Sequence, residues 1–288
     1  MMAESGTFVA YGHQGLRMHS ADGEHWSEPI LEKDNYVFSS GLYGDNRFVL
    51  LAKYGNKAAY FASPQGDAWS RLSEQDPKAR ILDIAYGNQR YVAIGGDMNG
   101  NQSTTMVSPD ARQWKVHQYK ENLLMRTTFG GSRFVAVGYR GRVAVSSDGA
   151  EWQEAEPLPE LDTFISIAFG AGVYVGGGLH GLRMTSEDGL RWQDRVVAEE
   201  GQHINTVLWT GKQFVGIGLG ATFFSPDGRR WTAVANENAP IAATYGNGRF
   251  VGSRWKGRIL VSSDAVKWRE VLRAPEHVTG VCFGGPAE

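Results

Sequence analysis

The side chains of this 288-residue chain that are best suited to chemistry are histidines and arginines lying far apart in the sequence. His203, with Asp162 upstream, and His277, directly after Glu276, are candidate general bases near neutral pH. Arg126 would stabilise negative charge developing beside either base. We therefore take His203, His277 and Arg126 as the catalytic candidates.

No short motif supports these candidates. Histidines at the close spacing of a zinc site, such as His-Glu-x-x-His, are missing from the sequence, although ligands from distant segments can converge without one. Residues 176–181 spell Gly-x-Gly-x-x-Gly, but the pattern there predicts a strand and a hairpin, with no helix to receive a phosphate. We predict no metal and no cofactor.

A repeated motif, Ser-x-Asp-Gly-x-x-Trp, determines which elements position these side chains. It occurs seven times, beginning at Ser20, Ser63, Ser108, Ser146, Ser186, Ser225 and Ser262. The motif tryptophans are separated by 43, 45, 38, 40, 39 and 37 residues. A period of about 40 residues is typical of propeller blades.

Each repeat divides at its glycines into short segments rich in Val, Phe and Thr, which predict four antiparallel strands. Asp148-Gly149 is a strong hairpin signal within one such unit. The chain begins on a second strand at Thr7 and ends on a first strand that reaches Gly284. We predict an all-β, single-domain protein over residues 1–288, a seven-bladed β-propeller of four-stranded antiparallel blades, in which the C-terminal strand completes the N-terminal blade.

The recurring positions of the motif are interpreted as structural. We place each tryptophan in an outer strand, where it covers the seam between blades. The Ser and Asp side chains are expected to hydrogen-bond backbone N–H groups of the hairpin that they open. Gln65 replaces the Asp in one repeat, and Ala111 and Ala265 replace the Gly in two others, so these hairpins are expected to be less tightly specified.

The motif resembles the Asp-box, or BNR, repeat of sialidases and of photosystem II assembly factor-like propellers, which has Ser, Asp, Gly and Trp in the same order. The resemblance covers almost the whole chain, but the spacing here is shorter by one residue. In that family the boxes are folding elements far from the active site, so the resemblance implies a propeller and no activity. The Arg-Ile-Pro segment of sialidases is absent from the sequence.

In a propeller, the loops between second and third strands and the loops between blades meet at one mouth of the central channel. Aligning the repeats places Asp83 and Arg126 at one level of neighbouring inner strands, where alternate side chains are expected to face the channel and these two to pair. Such a mouth suits a planar or anionic ligand. The predicted ligand-binding residues are His13, Tyr54, Arg80, Asp83, Arg126, Tyr139, Arg140, His180, His203, Trp255 and His277.

Composition limits the possible partners. Lys and Arg total 29 against 31 Asp and Glu, a net charge of −2, so no general field favours nucleic acid or an anionic membrane. The single cysteine excludes an internal disulfide, and the first residues lack the pattern of a signal peptide. We expect a cytoplasmic monomer, or a secreted protein if a leader has been removed.

Three functions stay open at this point. The first is a recognition propeller that binds a polar small molecule, a glycan or a protein segment at the channel mouth. The second is an enzyme, a lyase, hydrolase or cyclase, that uses the histidines and arginines of the same mouth. The third is a scaffold for protein assembly, in which the blade faces and outer edges contact protein.

Overall fold

The structure is a computed structural model that describes residues 6–285 except 33, 56, 98 and 199–201. In this part of the chain the strands form seven sheets. The first blade contains β1 (Thr7–Gly12), β2 (Arg17–Ser20) and, from the far end of the chain, β27 (Val278–Gly284). The second contains β3 (Val37–Gly44), β4 (Arg47–Tyr54), β5 (Lys57–Ser63) and β6 (Ser70–Gln75), and the third β7 (Arg80–Gly87), β8 (Arg90–Gly96), β9 (Ser103–Ser108) and β10 (Lys115–Tyr119).

The remaining four blades repeat this plan. The fourth contains β11 (Leu124–Gly130), β12 (Arg133–Gly138), β13 (Val143–Ser146) and β14 (Gln153–Glu154), and the fifth β15 (Phe164–Gly170), β16 (Val173–Gly178), β17 (Arg183–Ser186) and β18 (Gln193–Val196). The sixth contains β19 (Ile204–Trp209), β20 (Phe214–Gly218), β21 (Ala221–Ser225) and β22 (Thr232–Ala235), and the seventh β23 (Ala242–Gly246), β24 (Arg249–Arg254), β25 (Arg258–Ser262) and β26 (Arg269–Arg273).

The predicted closure of the propeller is confirmed. β27 pairs antiparallel with β1, with Phe8 opposite Phe283 and Gly12 opposite Val278. The innermost strands of consecutive blades contact one another all the way round, from β27 through β3, β7, β11, β15, β19 and β23 back to β27. The seven-bladed fold that the repeats predict is therefore the observed one.

The first blade differs from the four-stranded prediction at its outer edge. Among the described residues its sheet has three strands, and an isolated bridge between Arg17 and Ile30 takes the place of a fourth. Beyond that bridge the pairing shifts by one residue, because the N–H of Ser27 donates to the carbonyl of His19, and the N–H of His19 donates to Ser27 Oγ instead of to a backbone carbonyl.

The hydrophobic core lies in the seams between blades. Each of the seven apolar clusters combines residues of two adjacent blades and includes one motif tryptophan. Trp152, for example, packs with Val92 of the third blade and Phe134 of the fourth. The seam role of the tryptophans is confirmed, but the six in four-stranded blades directly precede the outer strand instead of lying within it. In all seven repeats the indole Nε1–H of the motif tryptophan donates to the backbone carbonyl three residues earlier, at 2.7 to 3.2 Å.

The Ser and Asp of the motif hold the hairpin as expected. In the fourth blade Ser146 Oγ accepts the N–H of Gly149 at 2.8 Å, and Asp148 Oδ1 accepts those of Ala150 and Glu151. Where Gln65 replaces the Asp, Asp67 accepts the N–H of Ala68 instead. Ala111 and Ala265 also adopt a positive φ, 58° and 59° against 75° to 87° for the motif glycines, so the left-handed turn is kept in these repeats.

Replacing Asp227 with Ala is expected to destabilise the protein by about 1 kcal/mol, because Oδ1 accepts the N–H groups of Arg229 and Arg230. These backbone bonds lower the pKa of the Asp227 carboxyl. The contribution of the Asp227 carboxylate to the free energy of unfolding is therefore present above the ordinary pKa of Asp, and it is lost as the pH falls through the lowered pKa. Chemical denaturation from pH 7 to pH 2 measures this. Asp227→Asn, which keeps an acceptor oxygen, is the control and should lose less; equal losses for Asn and Ala at pH 7 would contradict the hydrogen-bonding role.

On the face opposite the mouth, a glycine at the end of an inner strand receives the aromatic ring of the next blade. A Cβ on Gly87 would lie 2.0 Å from Phe129 Cγ, and one on Gly284 would lie 2.0 Å from Tyr43 Cβ. The same arrangement occurs at Gly44, Gly130, Gly170 and Gly246. The sixth blade is the exception, because Thr210 follows Trp209 where the other blades have glycine.

Candidate functional site

The loops that the sequence assigns to the mouth do lie together. His13, Tyr139 and Leu179 each begin a short 3-10 turn between a second and a third strand. The backbone N–H of each donates to the loop entering the same blade, at His277, Leu123 and Thr163. The tips of these hairpins and the connections between blades therefore meet on one face.

A bulge in six of the seven inner strands changes which side chains face this mouth. The register shifts between Phe38 and Ser40, and at the matching positions of β7, β11, β15, β19 and β27. An extra residue reverses the alternation of the strand beyond it. As a result Ser39, Leu82 and Met125 line a cleft at the mouth. Of the residues that simple alternation predicted there, Arg126 also lines this cleft, whereas Ser40 and Asp83 do not.

The displaced residues join neighbouring blades instead. Ser40 Oγ donates to Asp83 Oδ1 at 2.6 Å, and the N–H of Thr127 donates to Asp83 Oδ2 at 2.9 Å. In the same way Ser166 Oγ accepts the N–H of Val207. Burial raises the pKa of the Asp83 carboxyl, opposed by the nearby charge of Arg126 and by these bonds. Asp83 forms no salt bridge with Arg126 in the described structure, so the predicted pair is replaced by a link across three blades.

Two adjoining clefts open at the mouth. The smaller, of about 300 Å³, is lined by Arg126 and Tyr139, and the larger, of about 610 Å³, by His13 and Tyr54. Lys53, Arg80, Gly96 and Asp97 line both clefts. The Asp97 carboxylate is engaged by the backbone N–H groups of Asn101 and Gln102, at 2.9 and 3.0 Å.

Three cations from the second, third and fourth blades converge on the smaller cleft: Lys53, Arg80 and Arg126. Burial, with the charges of Arg80 and Arg126, lowers the pKa of Lys53 to about 8. The smaller part of this effect, from the two arginines, shows that Lys53 lies within their positive field. Such a site favours an anionic group, a carboxylate or a phosphate.

Sequence reasoning missed Lys53, although the repeat contains a signal for it. The residue before the hairpin tip is glycine in five blades, at Gly12, Gly95, Gly138, Gly178 and Gly218, and is Ala52 or Arg254 in the other two. A Cβ on Gly138 would lie 1.9 Å from the carbonyl oxygen of Leu123, which explains the glycine there. Lys53 follows Ala52 and therefore occupies the same tip position as His13, Tyr139 and Trp255, so comparing the repeats position by position would have found it.

Three predicted residues form an aromatic stack on the first and seventh blades. The rings of Trp255 and His277 are 4.8 Å apart and nearly parallel, at 7°. His13 meets His277 edge to face, with ring centroids 5.1 Å apart. Burial, and secondarily the charge of His13, lowers the pKa of His277.

The other two mouth histidines form a pair on the fifth and sixth blades. His203 Nδ1 accepts the backbone N–H of His180 at 3.2 Å, and their rings are perpendicular. The Asp162 carboxylate, suggested as a partner of His203, is buried and forms two 2.7 Å hydrogen bonds with Arg195. No described carboxylate pairs with His203 or His277, so neither has the acid–base partner that the enzyme hypothesis assigned.

The rim of the mouth is unusually apolar for an exposed surface. Arg140, also predicted, lies at a hairpin tip with a φ of 51° and is exposed. The exposed fractions of the large hydrophobic residues on the rim are 50% for Tyr54, 39% for Tyr139, 90% for Leu161, 49% for Leu219 and 65% for Trp255. Leu161 and Leu219 were not among the predicted residues.

Two kinds of feature are absent from the described part of the chain. No group of three or more His, Cys, Asp or Glu side chains in residues 6–285, with the gaps given above, is placed to hold a metal ion. No helix in the same residues has the length and hydrophobicity needed to cross a membrane.

The chain is similar in fold to several solved propellers. The computationally designed protein Ika8 matches with a TM-score of 0.64 and 17% identity, over 97% of this chain and 88% of that one. YCF48 bound to a D1 peptide matches with a TM-score of 0.59 and 16% identity, over 95% of this chain and 86% of that one. YCF48 from Cyanidioschyzon merolae matches with a TM-score of 0.62 and 13% identity, over 93% of this chain and 90% of that one. The sequence matches no family model and no curated protein. At these identities the similarity shows the fold alone.

Proposed function

We propose that this protein is a recognition propeller whose channel mouth binds an acidic segment of a partner protein. The observation that carries the proposal is the convergence of Lys53, Arg80 and Arg126 on one cleft. Like charges brought together destabilise the free protein, and an anionic ligand relieves that repulsion. A negatively charged ligand therefore gains binding energy at this cleft that a neutral ligand does not.

The surroundings of the cleft favour a protein segment over a small polar molecule. The cleft opens into the larger one, and the rim carries exposed Tyr, Leu and Trp side chains. Tyr and Trp side chains are enriched at protein interaction sites. A propeller of the same fold, YCF48, has been solved with a peptide, which supports the choice by analogy.

Neither alternative function has comparable support. An enzyme using His203 or His277 would need a proton-transfer partner for the histidine, and the nearest proposed carboxylate, Asp162, is committed to Arg195. A scaffold that binds through its outer edges leaves the repulsion among Lys53, Arg80 and Arg126 unexplained.

Replacing Lys53 or Arg126 with Gln is expected to weaken binding of a fluorescein-labelled hexaglutamate peptide by about 5- to 10-fold each, since each removes one charge-assisted contact. Fluorescence anisotropy at low ionic strength measures the affinity, which should also fall as salt is added. Lys212→Gln, an exposed lysine in the β19–β20 turn on the opposite face, is the control. Equal affinity in all four proteins would place the acidic ligand elsewhere and refute the proposal.

The same peptide should bind less tightly as the pH rises from 7 to 9, because Lys53 loses its charge in this range. A bound anion favours the charged form, so the loss occurs at a higher pH in the complex than in the free protein. The clefts are also lined by other ionisable side chains, those of His13, Tyr54, Lys78, Asp97 and Tyr139. Measuring the affinity of Lys53→Gln over the same pH range separates the effect of Lys53 from theirs. A pH dependence that is the same in that variant would exclude Lys53 as its cause.

A further inference from the structure

Trp255 is a large apolar side chain that the fold does not need. It lies at the β24–β25 hairpin tip, outside the repeat motif, and 65% of its surface is exposed. The motif tryptophan of the same blade, Trp268, is buried in the seam and already fills the structural role. Burial of apolar surface is favourable, so an indole left this exposed at a loop tip is suited to be covered by a ligand.

The exposed indole is nevertheless held in place. His277 stacks against one of its faces at 4.8 Å, and His13 in turn contacts His277 edge-on. The backbone fixes the same group, since the N–H of His13 donates to the carbonyl of His277 at 2.9 Å. A ring supported on one face, with most of its surface in solvent, is already ordered before it meets a ligand, which lowers the entropic cost of binding.

The chemistry around the indole selects among the ligands that stack on tryptophan. Arg254 and Lys256 flank it in the sequence and repel a cation, which argues against an ammonium ligand. His277 Nδ1, on the ring beneath, is buried and therefore offers no hydrogen bond to a sugar hydroxyl, so what the stack itself presents to a ligand is the open face of the indole. A planar aromatic ring is the ligand that remains.

The stack is continuous with the cationic site. His13 belongs to the stack and also lines the larger cleft, which shares Lys53 and Arg80 with the smaller one. A single extended ligand can therefore contact both. We propose that Trp255, supported by His277, binds an aromatic side chain, and that the partner segment combines this residue with the acidic group held by Lys53, Arg80 and Arg126. The second half of this statement rests on the proposed function, whereas the first half does not.

The stack of Trp255 on His277, which we call the platform, is tested first by itself. In protein labelled with 5-fluorotryptophan, the fluorine resonance of Trp255 is assigned from its loss in Trp255→Phe. N-acetyl-tyrosinamide should shift this resonance saturably and leave those of the motif tryptophans unchanged, and the shift should weaken at least threefold in His277→Ala but not in His180→Ala. No shift with N-acetyl-tyrosinamide, or an equal or larger one with maltose or choline, overturns the platform.

The combined site is tested with peptides in which Tyr, or Ala as the matched control, precedes hexaglutamate through zero to six glycines. At least one Tyr peptide should bind fivefold or more tightly than its Ala counterpart, with the gain lost in Trp255→Ala and in Trp255→Leu. The Ala peptides should bind these variants as they bind the wild type. If no Tyr peptide shows the gain, the combined site is refuted. If no acidic peptide binds while N-acetyl-tyrosinamide still shifts Trp255, the proposed function fails and the platform alone stands.

Discussion

A chain that lacks its last twelve residues, 277–288, is expected to lose cooperative folding. The deletion removes β27, the inner strand of the first blade, and with it the buried side chains of Val278, Val281 and Cys282. Burial of three such side chains contributes about 5 kcal/mol, comparable with the entire stability of a typical domain. The deletion also leaves the inner edge of β1 without a partner, along a strand whose residues Phe8, Val9 and Ala10 are fully buried in the intact protein. An exposed apolar edge of this kind promotes aggregation.

Calorimetry and size-exclusion chromatography measure this outcome. A chain ending at Gly285 is the matched control, because it keeps β27 whole. A synthetic peptide covering residues 277–285, added during refolding, should restore part of the lost transition by occupying the vacant position beside β1. A truncated protein that melts at the same temperature as the full chain would show that the strand does not close the propeller.

Replacing Gly87 with Ala is expected to destabilise the protein by about 3 kcal/mol or more, which is large for one methyl group. The added Cβ would lie 2.0 Å from Phe129 Cγ, and the other two near contacts, at 2.2 and 2.3 Å, are atoms of the same aromatic ring. The ring itself packs in the seam cluster of the third and fourth blades and contacts Phe134 at 4.8 Å. It therefore has little room to move away.

Urea denaturation gives the free energies, and Gly216→Ala is the control because a Cβ at that position would lie 3.4 Å from its nearest neighbouring atom. The double variant Gly87→Ala/Phe129→Ala tests the cause, since removing the ring removes the clash. Its loss should be smaller than the sum of the two single losses. Simple additivity would mean that the cost arises somewhere other than this contact.

The fold was predictable because the repeated motif marks where each blade and each of its strands lies. Seven copies of a motif that ends in tryptophan locate every seam, and hairpin glycines such as Gly149 divide each repeat into strands. The closure followed from the two ends of the chain, at Thr7 and Gly284. The outer edge of the first blade departs from the predicted strand count, because the chain there is held to β2 by a shifted pairing at Ser27 and not by a regular ladder.

The mouth was predictable in composition but not in detail. Its predicted histidines do lie there, yet the bulge that exposes Met125 and turns Asp83 toward its neighbours has no sequence signature. Electrostatic convergence is equally hidden, because Lys53 and Arg126 are far apart in the sequence and meet only once the blades are arranged around the channel. Which carboxylate a histidine contacts also depends on packing, as the engagement of Asp162 by Arg195 shows.

Thr210 makes one of the junctions between blades different from the other six. At six junctions a glycine lets the neighbouring aromatic ring approach the main chain, but at the seventh a hydroxyl-bearing side chain occupies that position and is bonded within its own turn, to Gln213. The inner strands β19 and β23 of these two blades also contact each other less than any other neighbouring pair of inner strands. We therefore expect twisting or widening of the propeller to concentrate at the boundary between the sixth and seventh blades, next to the blade that carries Trp255.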